Sequence, residues 1–178
     1  MTRGYIHVTN PAGQGPAGVQ GPTGPAGSSG ISTTASASYW SNQTQGPFTA
    51  NSVQAMTLNN TDWQQGITLQ NSSQIKMTAA GKYNIMFSAQ LEQQQSSGIV
   101  NIWLRKNGTD VPDSNTRVNI AASSPYVVAA WNFFVNSSIN DYYEIMWSSS
   151  SANTILESAT YNTFPKIPSV ILTVNQIG

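Results

Sequence analysis

Glycine recurs at every third position from Gly15 to Gly30, and no other feature of the chain restricts its fold so tightly. The phased residues are Gly15, Gly18, Gly21, Gly24, Gly27 and Gly30, which give the triplets GPA, GVQ, GPT, GPA and GSS. Pro16, Pro22 and Pro25 each follow a phased glycine directly. Three polyproline-II chains wind around one axis only when every third residue is glycine, because no side chain fits there. Glycines alone would also suit a flexible spacer, but three prolines in one triplet position favour the ordered, collagen-like form. Extended at about 3.1 Å per residue, such a stalk spans roughly 50 Å. Five triplets are too few to hold three chains together, so the register predicts a trimerising domain beside it.

The stalk divides the chain. Residues 1–14 carry a small apolar cluster, Tyr5, Ile6, His7 and Val8, ahead of Asn10-Pro11. A free terminus ordinarily frays, whereas an apolar peptide at the far end of a stalk suits docking into a larger assembly, and the second reading is the expectation here. Residues 15–30 are the stalk, residues 31–37 (ISTTASA) a linker, and residues 38–178 the head.

In the head, apolar and polar residues alternate with the period of half-buried strands. Along residues 82–92, Tyr83, Ile85, Phe87, Ala89 and Leu91 share one side. Along 99–106, Val100, Ile102 and Leu104 oppose Asn101, Trp103 and Arg105, and along 142–148 Tyr143, Ile145 and Trp147 point one way. Residues 126–135 (YVVAAWNFFV) are apolar on both sides, so that strand should be buried twice, by the core and by a neighbouring subunit. Residues 168–177 form a closing apolar strand, and weaker strands are expected at 38–45, 53–59, 66–70, 74–78 and 154–158. Turn residues separate them, with Asn107-Gly108 the strongest hairpin signal. No amphipathic helix is apparent. About ten short strands predict an all-β sandwich or jelly roll.

Composition removes several functions. Seven basic and seven acidic side chains give no net charge, so there is no basic excess to neutralise phosphates and no nucleic-acid partner is expected. Charged residues make up 8% of the chain, against about 25% in ordinary domains. Ser, Thr, Asn and Gln supply 71 residues, so solubility comes from hydroxyls and amides. No apolar run is long enough to span a bilayer, and residues 1–12 lack the pattern of a secretory signal. With no Cys there are no disulfides or thiolate sites. The one histidine, His7, has neither nucleophile nor orienting acid near it in sequence, and no acidic pair stands in a catalytic pattern, so no enzyme and no cofactor are expected. Asp110 and Asp113 lie with Asn107 and Asn115 in the loop NGTDVPDSN, a weak candidate for a cation that reads more simply as a turn.

A collagen-like stretch ahead of such a head resembles the tumour-necrosis-factor-like and complement-globular-head superfamily. The residues that carry the resemblance are Ala80-Gly81-Lys82-Tyr83 opening an alternating strand, Asn140-Asp141-Tyr142-Tyr143 before an apolar strand, and the closing run Pro168 to Thr173. Ile102 to Asp110, Ala130 to Phe133 and Tyr142 to Trp147 are similar to segments of virion structural proteins from tailed phages.

This resemblance implies a ten-stranded jelly roll that assembles as a homotrimer. Tyr83, Phe87, Tyr126, Trp131, Phe133, Phe134, Tyr143 and Trp147 would then be divided between subunit core and trimer interface. It implies a non-enzymatic phage protein on the exterior of the virion, docked to another virion protein through Tyr5, Ile6, His7 and Val8. The expected role is a fibre or appendage adhering to a host-surface glycan or protein; the alternative is a knob decorating the capsid. Trp40, Trp63 and the run Gln93, Gln94 and Gln95 are the expected ligand contacts, since rings stack on sugars and amides bond their hydroxyls.

Overall fold

Alternation with period two builds the long strands of the head. The computed structural model describes Gly21, residues 34–47 and residues 49–178, and among these it holds strands and no helix. The chain divides into two units, Met1–Ile31 and Ser32–Gly178. Of the first, Gly21 is described: it is exposed, with nothing within 4 Å of where a Cβ would stand. The docking peptide and the remaining stalk glycines lie outside the described residues.

The strands, in chain order, are β1 (Ser36–Ser41), β2 (Gln54–Ala55), β3 (Asn60–Gln65), β4 (Ile67–Gln70), β5 (Gln74–Met77), β6 (Gly81–Gln93) and β7 (Gly98–Lys106). They continue with β8 (Thr109–Asp110), β9 (Thr116–Ile120), β10 (Tyr126–Ser137), β11 (Tyr142–Ser149), β12 (Thr154–Leu156) and β13 (Val170–Gln176). They pair antiparallel into two sheets. The first runs β10-β6-β13-β1-β3, with β12 also on β6, and the second runs β4-β5-β11-β7-β8, with β2 on β11 and β9 on β7. This is the jelly-roll sandwich that the alternation predicts.

The longer strands that periodicity marked are where expected, whereas the strand expected at 53–59 is paired only over β2 (Gln54–Ala55) and the one expected at 38–45 ends at Ser41. β1 opens at Ser36 rather than residue 38, because Ala35 and Ala37 are small enough to be buried there, at 4% and 1% exposure. β3 (NTDWQQ) has no apolar alternation to read, since none of its six residues is buried and it forms the edge of its sheet. β9 was also unmarked; it is five residues long and buries only Ile120 fully.

The core lies between the sheets. Tyr83, Ile85, Phe87, Ala89 and Leu91 of β6 meet Ile102 and Leu104 of β7 and Tyr143, Ile145 and Trp147 of β11, all within the buried cluster. Each fully buried large aliphatic side chain contributes about 1.5–3 kcal/mol. Tyr39, also fully buried, donates its hydroxyl to Gln64 Oε1 at 3.1 Å, and burial pushes its pKa up to about 12.

One end of the second sheet is tied by a polar turn. Asn107 and Gly108 adopt φ of 49° and 80°, the two positive values that a tight two-residue hairpin requires. Asn107 Nδ2 donates to Asp141 Oδ1 at 2.7 Å, while Lys106 Nζ lies 2.7 Å from Asp141 Oδ2. The Ser138 amide also donates to Oδ2, at 2.7 Å. The hydrogen bond from Lys106 is the largest influence on Asp141, and with the other donors it pulls the carboxyl from 3.8 to about 2.

A carboxylate that holds its proton less tightly when folded stabilises the fold above its unfolded pKa. That stabilisation fades as pH falls through the folded value. Asp141→Asn should therefore lower the unfolding free energy at neutral pH, by about 1 kcal/mol. In denaturant titrations the gap from wild type should close between about pH 4 and pH 2. A gap that stays constant across that window would remove Asp141 from the account.

Candidate functional site

The two sheets differ in the side chains they expose. On the first, Tyr126, Val128 and Phe134 of β10 stand 62%, 58% and 69% exposed, beside Met86 of β6 at 36% and Ile171 of β13 at 41%. Register sets them among polar neighbours: Tyr126 pairs with Glu92, Val128 with Gln90, Phe134 with Asn84, Met86 with Asn132 and Thr173, and Ile171 with Ser88. The second sheet turns outward Asn101, Trp103 and Arg105 of β7, Arg117 and Asn119 of β9, and Ser148 of β11.

The aromatic residues expected to share core and interface are divided cleanly within the subunit. Tyr83, Phe87, Tyr143 and Trp147 are buried. Trp131 and Phe133 are half-buried at the sheet edge, with Trp131 edge-on to Phe87 at 4.7 Å and Phe133 stacked on it at 6.2 Å. Tyr126 and Phe134 point outward. The expectation that residues 126–135 are buried on both sides is thus met on one side by a single subunit. Among the described residues β10 is an edge strand paired only with β6, and Tyr126, Val128 and Phe134 on its outer side stand exposed.

Trp40 lines a hollow of about 390 Å³ at one end of the first sheet, with Asn42, Asp62, Lys166, Ile167, Pro168 and Ile171. Its indole N–H donates to Asp62 Oδ1 at 3.0 Å and Ser38 Oγ donates to Oδ2 at 2.8 Å, which fixes the ring against β3. Trp63 stands 53% exposed on β3, paired in register with Ser38.

The glutamines sit apart from these two rings. The row through Trp63, Ser38 and Thr173 reaches β6 at Met86, and Gln93 lies seven residues further along, roughly 23 Å. Gln93 is 3% exposed and its amide is fully engaged: Nε2 donates to the Gln95 carbonyl and to Ser151 Oγ, and Oε1 accepts from Thr154. It ties strand ends together, while Gln94 and Gln95 remain exposed in the following turn.

A second hollow, about 450 Å³, opens on the polar face among Val53, Asn101, Trp103, Asp110, Val111, Asp113, Asn115 and Ser148. Asp110 pairs with Arg105 Nε at 2.7 Å. The guanidinium is the main cause of its lowered pKa, followed by the Trp103 indole N–H, which lies near the carboxylate without reaching ordinary hydrogen-bond geometry. Among the described residues no three His, Asp or Glu side chains converge as a metal site, so Asp110 and Asp113 stand as a pair on a loop.

Sequence reasoning passed over Trp103, yet its signal was legible. Alternation alone put an indole on the polar side of β7, between Asn101 and Arg105. What the sequence could not supply was the arrival of Asp113, Asn115 and Ser148 around it.

No protein-family model matches the chain, and no curated protein matches it. Among solved structures it is similar to murine APRIL, crystallised at pH 8.5 and at pH 8.0, with TM-scores of 0.53 and 0.54. Sequence identity is 9% in both, over 81% of this chain and 99% of the other. The globular domain of zebrafish complement 1qA protein aligns over 82% of this chain and 98% of its own, at 11% identity and a TM-score of 0.48. At such identities the likeness is one of fold: the head is a jelly roll of the tumour-necrosis-factor type.

Gly98 tests the close packing at the glutamine end. A Cβ there would stand 2.5 Å from Gln93 Oε1 and 3.1 Å from Thr154 Oγ1. Gly98→Ala should cost about 1–3 kcal/mol in chemical denaturation, the range for overpacking a filled site. An unchanged midpoint would show that the Gln93 amide can move aside freely.

Proposed function

We propose that the chain is a non-enzymatic structural protein on the exterior of a phage particle. In this reading it is a homotrimeric projection whose residues 1–14 dock on another virion protein, whose residues 15–30 wind into a collagen-like stalk, and whose head adheres to the host surface. The contrast between the two outer faces carries the proposal. Tyr126, Val128, Phe134, Met86 and Ile171 stand exposed on the outer side of the first sheet, and large apolar side chains gathered on one exposed face of a soluble chain mark interaction surfaces. Folds of this type typically assemble as homotrimers, and the phased glycines demand three chains. Three copies closed on the first sheet would leave the polar second sheet outermost.

The acidic side chains support a structural role, because four of them hold strands and turns together. Asp62 anchors Ser38 and Trp40, Asp110 anchors Arg105, Asp141 anchors Lys106, and Glu144 accepts from Ser73 Oγ at 2.7 Å. Adhesion by such a projection works through avidity: one trimer presents three weak sites at high effective concentration.

Sedimentation equilibrium tests the assembly. The full-length protein should run at three times its 19.1 kDa chain mass. Phe134→Glu and Val128→Asp, which place charge on the apolar face without touching the core, should shift it towards monomer by about a hundredfold in the association constant. A wild-type monomer at micromolar concentration would overturn the proposal. Removal of residues 1–14 should leave a soluble trimer that no longer joins the particle, read by immunogold labelling of virions.

A further inference from the structure

We infer that the hollow around Trp103 on the second sheet binds the ring of a neutral pyranose sugar, an inference that gives the proposed adhesion its ligand class and rests on it. The hollow is about 450 Å³, within the range of small-ligand sites.

Its polar groups are largely free. Neither the Asp113 carboxylate nor the Ser148 hydroxyl makes a hydrogen bond among the described residues, while the Trp103 N–H is buried beside Asp110 and leaves the indole ring as that residue's contact surface. Asn115 Nδ2 donates to Asn101 Oδ1 at 3.3 Å, which leaves the other half of each amide available. These donors and acceptors surround an indole on a face that is otherwise polar.

A pyranose offers the matching pair of surfaces. One side of the ring is a patch of C–H groups that packs on an aromatic plane, and its edge is a belt of hydroxyls that both donate and accept. A purely apolar ligand would leave the free amides and carboxylate unpaired, at a cost of about 1–3 kcal/mol each. An anionic ligand would meet the Asp113 carboxylate. The Asp110 charge is balanced by Arg105, so the hollow attracts no strong cation through that residue.

The site is also held rigidly, as weak-ligand recognition requires. Asn101 and Ser148 are register partners on neighbouring strands, and so are Trp103 and Met146. Met146 is 3% exposed although it lies outside the core cluster, and Trp103 is the neighbour placed to cover it. The loop bearing Asp113 and Asn115 is fastened by Ser114, whose hydroxyl accepts from the Leu104 amide at 3.1 Å and donates to the Val111 carbonyl at 2.7 Å.

The test uses the full-length protein labelled with ¹⁵N and the five indole N–H signals of its five tryptophans. Methyl glycosides of glucose, galactose, mannose and N-acetylglucosamine are titrated singly into the millimolar range, where isolated weak sites bind. At least one should move the Trp103 signal, assigned with Trp103→Phe, and leave Trp40 and Trp63 in place. Asp113→Ala, on the loop surface, should weaken that sugar about tenfold while the melting temperature holds, and Trp103→Ala should weaken it at least as much.

No movement at Trp103 with any of the four sugars would overturn the inference. So would a response at Trp40 instead, or one that Asp113→Ala leaves intact. A second arm separates this site from adhesion as such. If the trimer binds immobilised bacterial polysaccharides and Trp103→Ala binds equally well, adhesion stands and this site falls. If the methyl glycosides move Trp103 but no polysaccharide retains the trimer, the site stands and adhesion falls.

Discussion

The strand β6 supports the whole head, because both of its edges and one of its faces are committed over its thirteen residues. β10 pairs with it from Gly81 to Glu92 on one edge, and β13 and β12 share the other end to end. Its inward side chains, from Tyr83 to Leu91, fill the middle of the core. A register slip of one residue would exchange this set with Lys82, Asn84, Met86, Ser88 and Gln90, so the alternation fixes the sandwich and also fixes what the first sheet shows to the outside.

What it shows is the origin of the functional reading. A sheet facing water needs polar residues on its outer side, and the second sheet has them. The first sheet adds Met86, Ile171, Val128 and Phe134 to the polar residues on its outer side. In a chain with 8% charged residues and no net charge, solubility rests on hydroxyls and amides, and a face without enough of them is best accounted for by another copy of the chain. The polar face, by the same logic, is the one left for contacts with anything else, and Trp103 is the residue there that solubility does not explain.

Much of this was legible in the sequence, for reasons of period. β6, β7, β10, β11 and β13 carry enough apolar residues in alternation to be placed within a residue or two, and Asn107-Gly108 named its own hairpin. β3 escaped because a polar edge strand leaves no pattern to read, and β9 because Ile120 is the one residue it buries. Among the binding candidates, Trp40 and Trp63 are expected in loops, and the structure places them instead within the adjoining strands β1 and β3, because the polar sequence around Trp63 hides its strand. Gln93 was chosen for its run of amides, and its environment differs for a reason no sequence window contains: Ser151 and Thr154 come from another strand connection to satisfy it. The Trp103 hollow likewise draws on three separated segments, so only the fold brings it together.

Hydroxyl-radical footprinting of the full-length protein tests the central claim most directly. In a single chain Phe134, Tyr126 and Met86 stand 69%, 62% and 36% exposed, comparable with or near Trp63 at 53%. Burial of the first sheet between copies predicts that these three react several-fold more slowly than their single-chain exposure implies, while Trp63 reacts freely. Phe134 and Tyr126 modified as fast as Trp63 would contradict the account, because the apolar face would then be open to water.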